Sequence, residues 1–429
     1  MRRMIWFFAL LTLAALLASV WTGPVLAEPG DPQSACATCH AGEFSEWASS
    51  PHAGAGQSDV FRGLMDAGDG RQADWPQESC LQCHAPLNES DTGSPGVSCQ
   101  VCHLIESVEG IGNGAFKRAS DGILRGGTAL QTPHPTIASE LLSDPRFCAA
   151  CHEQFHPATG VPLQTTYSEW LNSPSAAKGQ TCQDCHLRGA DLVSHASGTE
   201  DITAKVQSLS RAISLDVQSP ETVTAGRQAV LEVWLLNDGA GHALPTGKNE
   251  SGEMWLEFSA TTADGALLYE DSLSYGVVYN DSEGKHDSPI NLWDAASVFT
   301  DRRLMPGRAA EEQFAFAVPV GARGDIKVGV ALMYRPVPAW LSEQLSLPLA
   351  DATVIHQATL ALRVLEPPPA PTYVAPTPLP TAIPLATTSS GVNAAGVKAD
   401  DWGWVAPFLG AGALLLIGIG AWALRRRAV

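Results

Sequence analysis

The chain has 429 residues, 45% of them hydrophobic, and carries 45 Asp and Glu against 26 Lys and Arg for a formal net charge of -19. That length accommodates two ordinary domains with flanking targeting segments. The acidic balance argues against nucleic acid or an anionic lipid surface as the main partner and favours a protein with a basic patch.

Residues 1–27 begin with Arg2 and Arg3, continue through an apolar run over residues 4–20, and end in small residues before Glu28. This pattern predicts a secretory signal peptide, with an uncleaved N-terminal anchor as the alternative. Either way the bulk of the chain is exported.

All ten cysteines lie in five copies of one form: CATCH at 36–40, CLQCH at 80–84, CQVCH at 99–103, CAACH at 148–152 and CQDCH at 182–186. A Cys-x-x-Cys pair alone also suits a zinc knuckle or a disulfide framework, but with His directly after it the motif is the attachment signal for c-type haem. Two thiols bind one macrocycle as thioethers while the next imidazole reaches its iron. The cofactor reading is five haem c, held covalently by Cys36, Cys39, Cys80, Cys83, Cys99, Cys102, Cys148, Cys151, Cys182 and Cys185. The iron ligands on the near face are His40, His84, His103, His152 and His186. Residues 28–205 supply about 36 residues per motif, too few to bury each macrocycle in a core of its own. The predicted fold here is therefore short helices and irregular loops around five stacked haems, with little strand.

Four further histidines in this region, His52, His134, His156 and His195, are candidates for the opposite iron faces, one fewer than the irons. A phrase is also repeated: SEWASSPHAGAG at 45–56 and SEWLNSPSAAKG at 168–179, with Ser175 in the place of His52. It reads as the trace of a duplicated unit, with Trp47 and Trp170 packing on porphyrin.

Over residues 206–366 the pattern changes to alternation with turn punctuation, as in AVLEVWLLN and DIKVGVALMY, which predicts an antiparallel β-sandwich. Its loop NDGAGHALPTGKN, residues 237–249, centres on His242, the candidate for the missing fifth ligand. Residues 367–401 are a Pro/Thr/Ala-rich linker. Residues 402–424 form an uncharged run long enough for one C-terminal transmembrane helix, and residues 425–429 a basic tail expected in the cytoplasm. A sorting signal removed after export is the alternative for that end.

The motifs, together with SDPRFCAACHE, TYSEWLNSPSAAKGQTCQDCH and GAGHALPTG, resemble the multihaem c-type cytochromes with a cytochrome c-552/4-like domain. That group includes the tetrahaem electron carrier of ammonia oxidisers and, more distantly, the octahaem hydroxylamine oxidoreductases. The resemblance implies haems stacked in pairs, the Cys80 and Cys99 motifs forming one such pair. It also implies irons mostly held by two histidines, with His52, His134 and His195 on the far faces. The chain departs from the octahaem enzymes in having five motifs and no tyrosine cross-link signature.

The expected function is that of a membrane-tethered pentahaem cytochrome passing electrons along mostly bis-histidine haems outside the cytoplasmic membrane, to or from a basic redox partner protein. The alternative is a reductase or oxidase of a small nitrogen or sulfur compound at one five-coordinate haem, with Glu153 and His156 as candidate proton donors. An adhesive β-sandwich carrying haems is a third class.

Overall fold

The computed structural model describes residues 32–68, 77–87, 96–127, 132–188 and 193–367. The chain divides into two compact units, Met1–Pro368 and Pro369–Val429, and the described residues all belong to the first. The expected signal peptide, the linker beyond residue 367, the transmembrane segment and the basic tail lie outside the described residues. Among the described residues no helix is long and apolar enough to cross a membrane.

In the N-terminal region short helices follow one another: α1 (Pro32–Ala37), α2 (Ala41–Ala48), α3 (Asp59–Ala67), α4 (Gln77–His84) and α5 (Cys99–His103). Each Cys-x-x-Cys-His motif lies on such a helix or runs out of its end, because one helical turn sets the two thiols and the imidazole on one side of the chain. The α3 helix shows how local chemistry fixes the frame. Ser58 caps it by accepting from Phe61 N at 3.2 Å, and Phe61 and Met65, four residues apart, bury one face.

Three small ribbons interrupt this region, which was expected to hold little strand. They are β1 (Ile105–Val108) with β2 (Phe116–Arg118), β3 (Leu124–Gly126) with β4 (Thr136–Ala138), and β5 (Gln154–Phe155) with β6 (Pro162–Gln164). Strands of two to four residues are too short to show a period-2 pattern.

Between them α6 (Pro145–Ala149) is capped by Asp144, which accepts from Arg146 N at 2.8 Å. After β6 come α7 (Thr166–Leu171), α8 (Pro174–Ala177) and α9 (Cys182–His186), the last opened by a capping box of Thr181 and Asp184. The next helix, α10 (Ile202–Ala212), spans the expected boundary at residue 205. Its Ile202, Val206 and Leu209 pack against the core of the sheets that follow, so the apolar interior of the second region begins at residue 202.

The chain then forms two sheets. The smaller has the order β14 (Ala309–Ala317), β9 (Gln228–Asn237), β7 (Ile213–Gln218). The larger has the order β11 (Leu267–Tyr275), β10 (Glu253–Thr261), β15 (Asp325–Arg335), β16 (Thr353–Leu365), β8 (Thr222–Thr224). Alternate residues of β9 (Leu231, Val233, Leu235), β10 (Leu256, Phe258) and β15 (Val328, Val330, Leu332) share one core. The wholly antiparallel expectation is corrected at one place: β8 pairs with β16 in parallel, because the chain leaves the small sheet after β7 and joins the edge of the large one.

A hairpin, β12 (Val277–Asn280) with β13 (Ser297–Asp301), carries a long connection in which Leu292 and Ala295 pack on Val161 and Leu163 of the motif-bearing region. The last helix among the described residues, α11 (Ala339–Gln344), is followed by Leu345, which lies against Gly63 of α3.

Candidate functional site

Four pairs of histidines face one another. The ring centroids of His40 and His134 are 6.3 Å apart, those of His52 and His152 6.1 Å, His103 and His195 6.4 Å, and His186 and His242 6.1 Å. These separations are too long for ring contact, and no hydrogen bond joins the partners. Two metal–nitrogen bonds of about 2.0 Å plus two ring radii of about 1.1 Å come to about 6.2 Å, the span of one metal between two imidazoles. Each pair contains one histidine from a Cys-x-x-Cys-His motif, and its partner is His134, His52, His195 or His242.

Several of these rings are oriented through Nδ1, which leaves Nε2 for the gap. Nδ1 of His103 lies 2.6 Å from the Arg125 carbonyl, that of His242 3.0 Å from the Ala243 carbonyl, that of His134 3.0 Å from the Thr136 hydroxyl, and that of His52 2.6 Å from the Ser197 hydroxyl. A donor position fixed at one nitrogen sets the tautomer at the other. Burial lowers the pKa of His52, His103 and His186, and takes that of His152 down to about 4. These imidazoles are therefore neutral at pH 7, the form that donates a lone pair to a metal.

The fifth motif histidine differs. His84 Nδ1 lies 3.0 Å from the Ala55 carbonyl, and its ring stacks on Phe61 at 4.3 Å with planes 18° apart. All twelve histidines lie among the described residues, and none is set across a gap from His84. Phe61, Met65, Leu81 and Ala85 form an apolar cluster that Cys80 joins. Burial and then the positive charge of Lys248 lower the pKa of His84 to about 4.

His156 does not fill the place proposed for it as a far-face ligand. Its Nδ1 accepts from Ala158 N and Thr159 N at 3.2 and 3.1 Å, and Nε2 donates to the Trp293 carbonyl at 3.1 Å. Both nitrogens are committed to holding a turn against the β12–β13 connection. Glu153, the other candidate donor, is 1% exposed and accepts from the Ser168 hydroxyl and amide at 2.5 and 3.1 Å, which fixes the start of α7.

Residues 35–104 match the family of cytochrome c554 and c-prime. Among solved structures the chain is similar to a penta-heme cytochrome c552 from Thermochromatium tepidum, at 22% identity, covering 76% of this chain and 97% of that one with a TM-score of 0.61. The chain has the fold of a multihaem c-type cytochrome. A CARDB domain of the PF1109 protein from Pyrococcus furiosus, described in complex with di-metal ions, is also similar, at 13% identity over 36% of this chain and 94% of that one. Its TM-score of 0.20 is too low to bear on function. No curated protein matches the chain.

The residues present fit haem c: each motif offers two thiols and an imidazole on one turn, and four motifs have a second imidazole across an iron-sized gap. The thiols also show which sites adjoin. Cys83 of the second motif lies close to Cys151 of the fourth, and Cys148 of the fourth close to Cys182 of the fifth. Cys102 of the third acts electrostatically on both Cys148 and Cys151, and His40 and His134 of the first site act on His103 of the third. The second motif therefore adjoins the fourth. The fourth motif thus lies near the second, the third and the fifth, and the first lies near the third.

Proposed function

We propose that the protein is a pentahaem electron carrier whose fourth haem is a junction. Bound haem c supplies an iron that alternates between ferric and ferrous states. The observation that carries the reading is the set of four facing imidazole pairs. Two imidazoles on one iron close it to substrates and keep its coordination alike in both oxidation states, which suits transfer rather than turnover. The nearness of Cys83 to Cys151 and of Cys148 to Cys182 supports it, because neighbouring attachment points bring macrocycle edges together.

The acidic chain, exported and tethered by its C-terminal segment, exchanges electrons with a basic partner through a small, charge-steered encounter. Electron paramagnetic resonance of the oxidised holoprotein tests the ligation: four low-spin haems per chain are expected, and fewer would overturn the reading. Exchange with a basic redox protein should slow as ionic strength rises.

One observation favours a second reading, reduction or oxidation of a small nitrogen or sulfur compound at the His84 haem: His84 is the one motif histidine with no histidine opposite. Turnover of nitrite or hydroxylamine, with a spectral shift confined to one haem, would support it. Inertness toward both, with all five haems low-spin, would remove it.

A further inference from the structure

The repeated Ser-Glu-Trp phrase makes the same contacts twice. Trp47 Nε1 donates to the Val97 carbonyl at 2.8 Å, and Val97 lies two residues before Cys99 of the third motif. Trp170 Nε1 donates to the Gln180 carbonyl at 2.9 Å, and Gln180 lies two residues before Cys182 of the fifth. An aromatic ring three residues ahead packs on each tryptophan at 5.5 Å, Phe44 in one copy and Tyr167 in the other.

The glutamates show the same correspondence. Glu46 Oε2 accepts from His195 N at 2.7 Å and from the Ser194 hydroxyl at 3.2 Å. Glu169 Oε2 accepts from Ala243 N, the residue after His242, at 3.0 Å and from the Thr246 hydroxyl at 3.1 Å. His195 is the imidazole opposite His103 of the third motif, and His242 the one opposite His186 of the fifth. In each copy the tryptophan thus grips the chain entering a motif, and the glutamate beside it grips the backbone bearing that motif's second imidazole.

We propose that Glu46 and Glu169 are positioning residues that set the far-face histidines of the third and fifth haems, and that Ser-Glu-Trp is a clamp used once for each of these two haems. The proposal rests on reading His195 and His242 as iron ligands. One observation singles out both haems, and a second bears on the third haem alone. The planes of His103 and His195 lie 23° apart and those of His186 and His242 18° apart, whereas the pairs without a clamp are at 45° and 63°. His195 Nδ1 moreover has no hydrogen-bond partner, so nothing on its ring replaces the hold on its backbone.

The substitution at the eighth position of the phrase follows from the same arrangement. His52 reaches out of the first copy toward the fourth motif. In the second copy a Cβ on Gly241 would meet Ser175 at 3.2 Å and Trp170 at 3.3 Å, so the loop carrying His242 occupies the space beside that position. The larger imidazole would compete with that loop.

The test is electron paramagnetic resonance of the oxidised, fully haem-loaded protein, in which the angle between axial imidazole planes sets the rhombicity of each low-spin signal. Glu46→Ala is expected to retain five haems while one of the two near-parallel signals is lost and a high-spin signal from one haem per chain replaces it. Glu46→Gln, whose carbonyl oxygen accepts the same amide, should restore the wild-type spectrum. Should Glu46→Ala incorporate fewer haems, Glu46→Met fills the same volume without an acceptor and is read in the same way. A wild-type spectrum in the alanine or methionine variant, beside loss of the signal in His195→Ala, would overturn the clamp and leave the ligand standing. A wild-type spectrum in His195→Ala would overturn the ligand reading itself, and the clamp with it.

Discussion

His186 and His242 stand face to face with ring centroids 6.1 Å apart and planes 18° apart, although one belongs to a Cys-x-x-Cys-His helix and the other to a loop of the β-sheet region. The Asn237 amide donates to the His242 carbonyl at 2.8 Å, and Glu169 holds the next residue, so the loop is fixed from both regions. His242→Ala should convert one haem per chain from low-spin to high-spin with the sheets intact. Resonance spectra beside far-ultraviolet circular dichroism check this; an unchanged spin count would sink the pairing.

His84 is the motif histidine without a facing imidazole. Carbon monoxide added to the reduced protein is expected to saturate at one molecule per chain, and His242→Ala should raise that to two. Optical titration reads the stoichiometry directly. No binding to the wild type would mean that another side chain closes the His84 haem.

Arg303 and Glu169 form an ion pair with side chains 7% and 5% exposed, and Asp301 adds a second carboxylate at 2.7 Å. Burial works against the Arg303 charge, but its hydrogen bonds to Asp301 and the Glu169 carboxylate outweigh it and raise its pKa. Breaking a buried pair from one side leaves an uncompensated charge, so Arg303→Met should cost about 3–5 kcal/mol. Denaturant unfolding measures it; a loss near zero would show that the pair is solvated in solution.

His156→Phe should destabilise by about 1–3 kcal/mol, because two backbone amides and the Trp293 carbonyl lose their buried partner. The haem spectra should not change. A new high-spin signal in this variant would return His156 to the ligand set.

Glu250 is 6% exposed and accepts from Leu292 N at 3.1 Å. Burial raises its pKa above the ordinary 4.5. A proton held more tightly in the folded state contributes stability that is complete below pH 4.5 and is lost as pH rises through the folded value. Glu250→Gln, which keeps the acceptor and removes the titration, should therefore be more stable than the wild type at neutral pH but not at pH 4. Melting temperatures at several pH values decide it, and parallel profiles would count against a buried acid.

The attachment chemistry was legible because it is local: two cysteines and a histidine within five residues announce themselves wherever the chain goes. Counting histidines against motifs also pointed to His242, since an iron needs a second face whatever the fold. The partnerships were not legible. His52 faces a motif histidine a hundred residues downstream, and His156 looked available until Trp293, 137 residues away, took its second nitrogen. The repeat was visible as letters, but its glutamates carried no signal, because a carboxylate that grips a backbone amide resembles any solvated one until the amide's owner is known. The sheets were readable from alternation in β9 and β15, while the ribbons of two to four residues were not.

Synthesis runs from the N-terminus, and that gives the Glu169–Ala243 hydrogen bond a meaning in time. The third motif can meet His195 while the sheets are still unmade. The fifth motif must wait for His242, which arrives only with the strand β9 and the loop after it. On the ligation proposed above, a chain truncated or misfolded beyond residue 240 would carry its fifth haem attached yet half-ligated, a defect visible in its colour before any assay of electron flow. On that same reading the last iron site closes only after the strand that precedes its loop has been made.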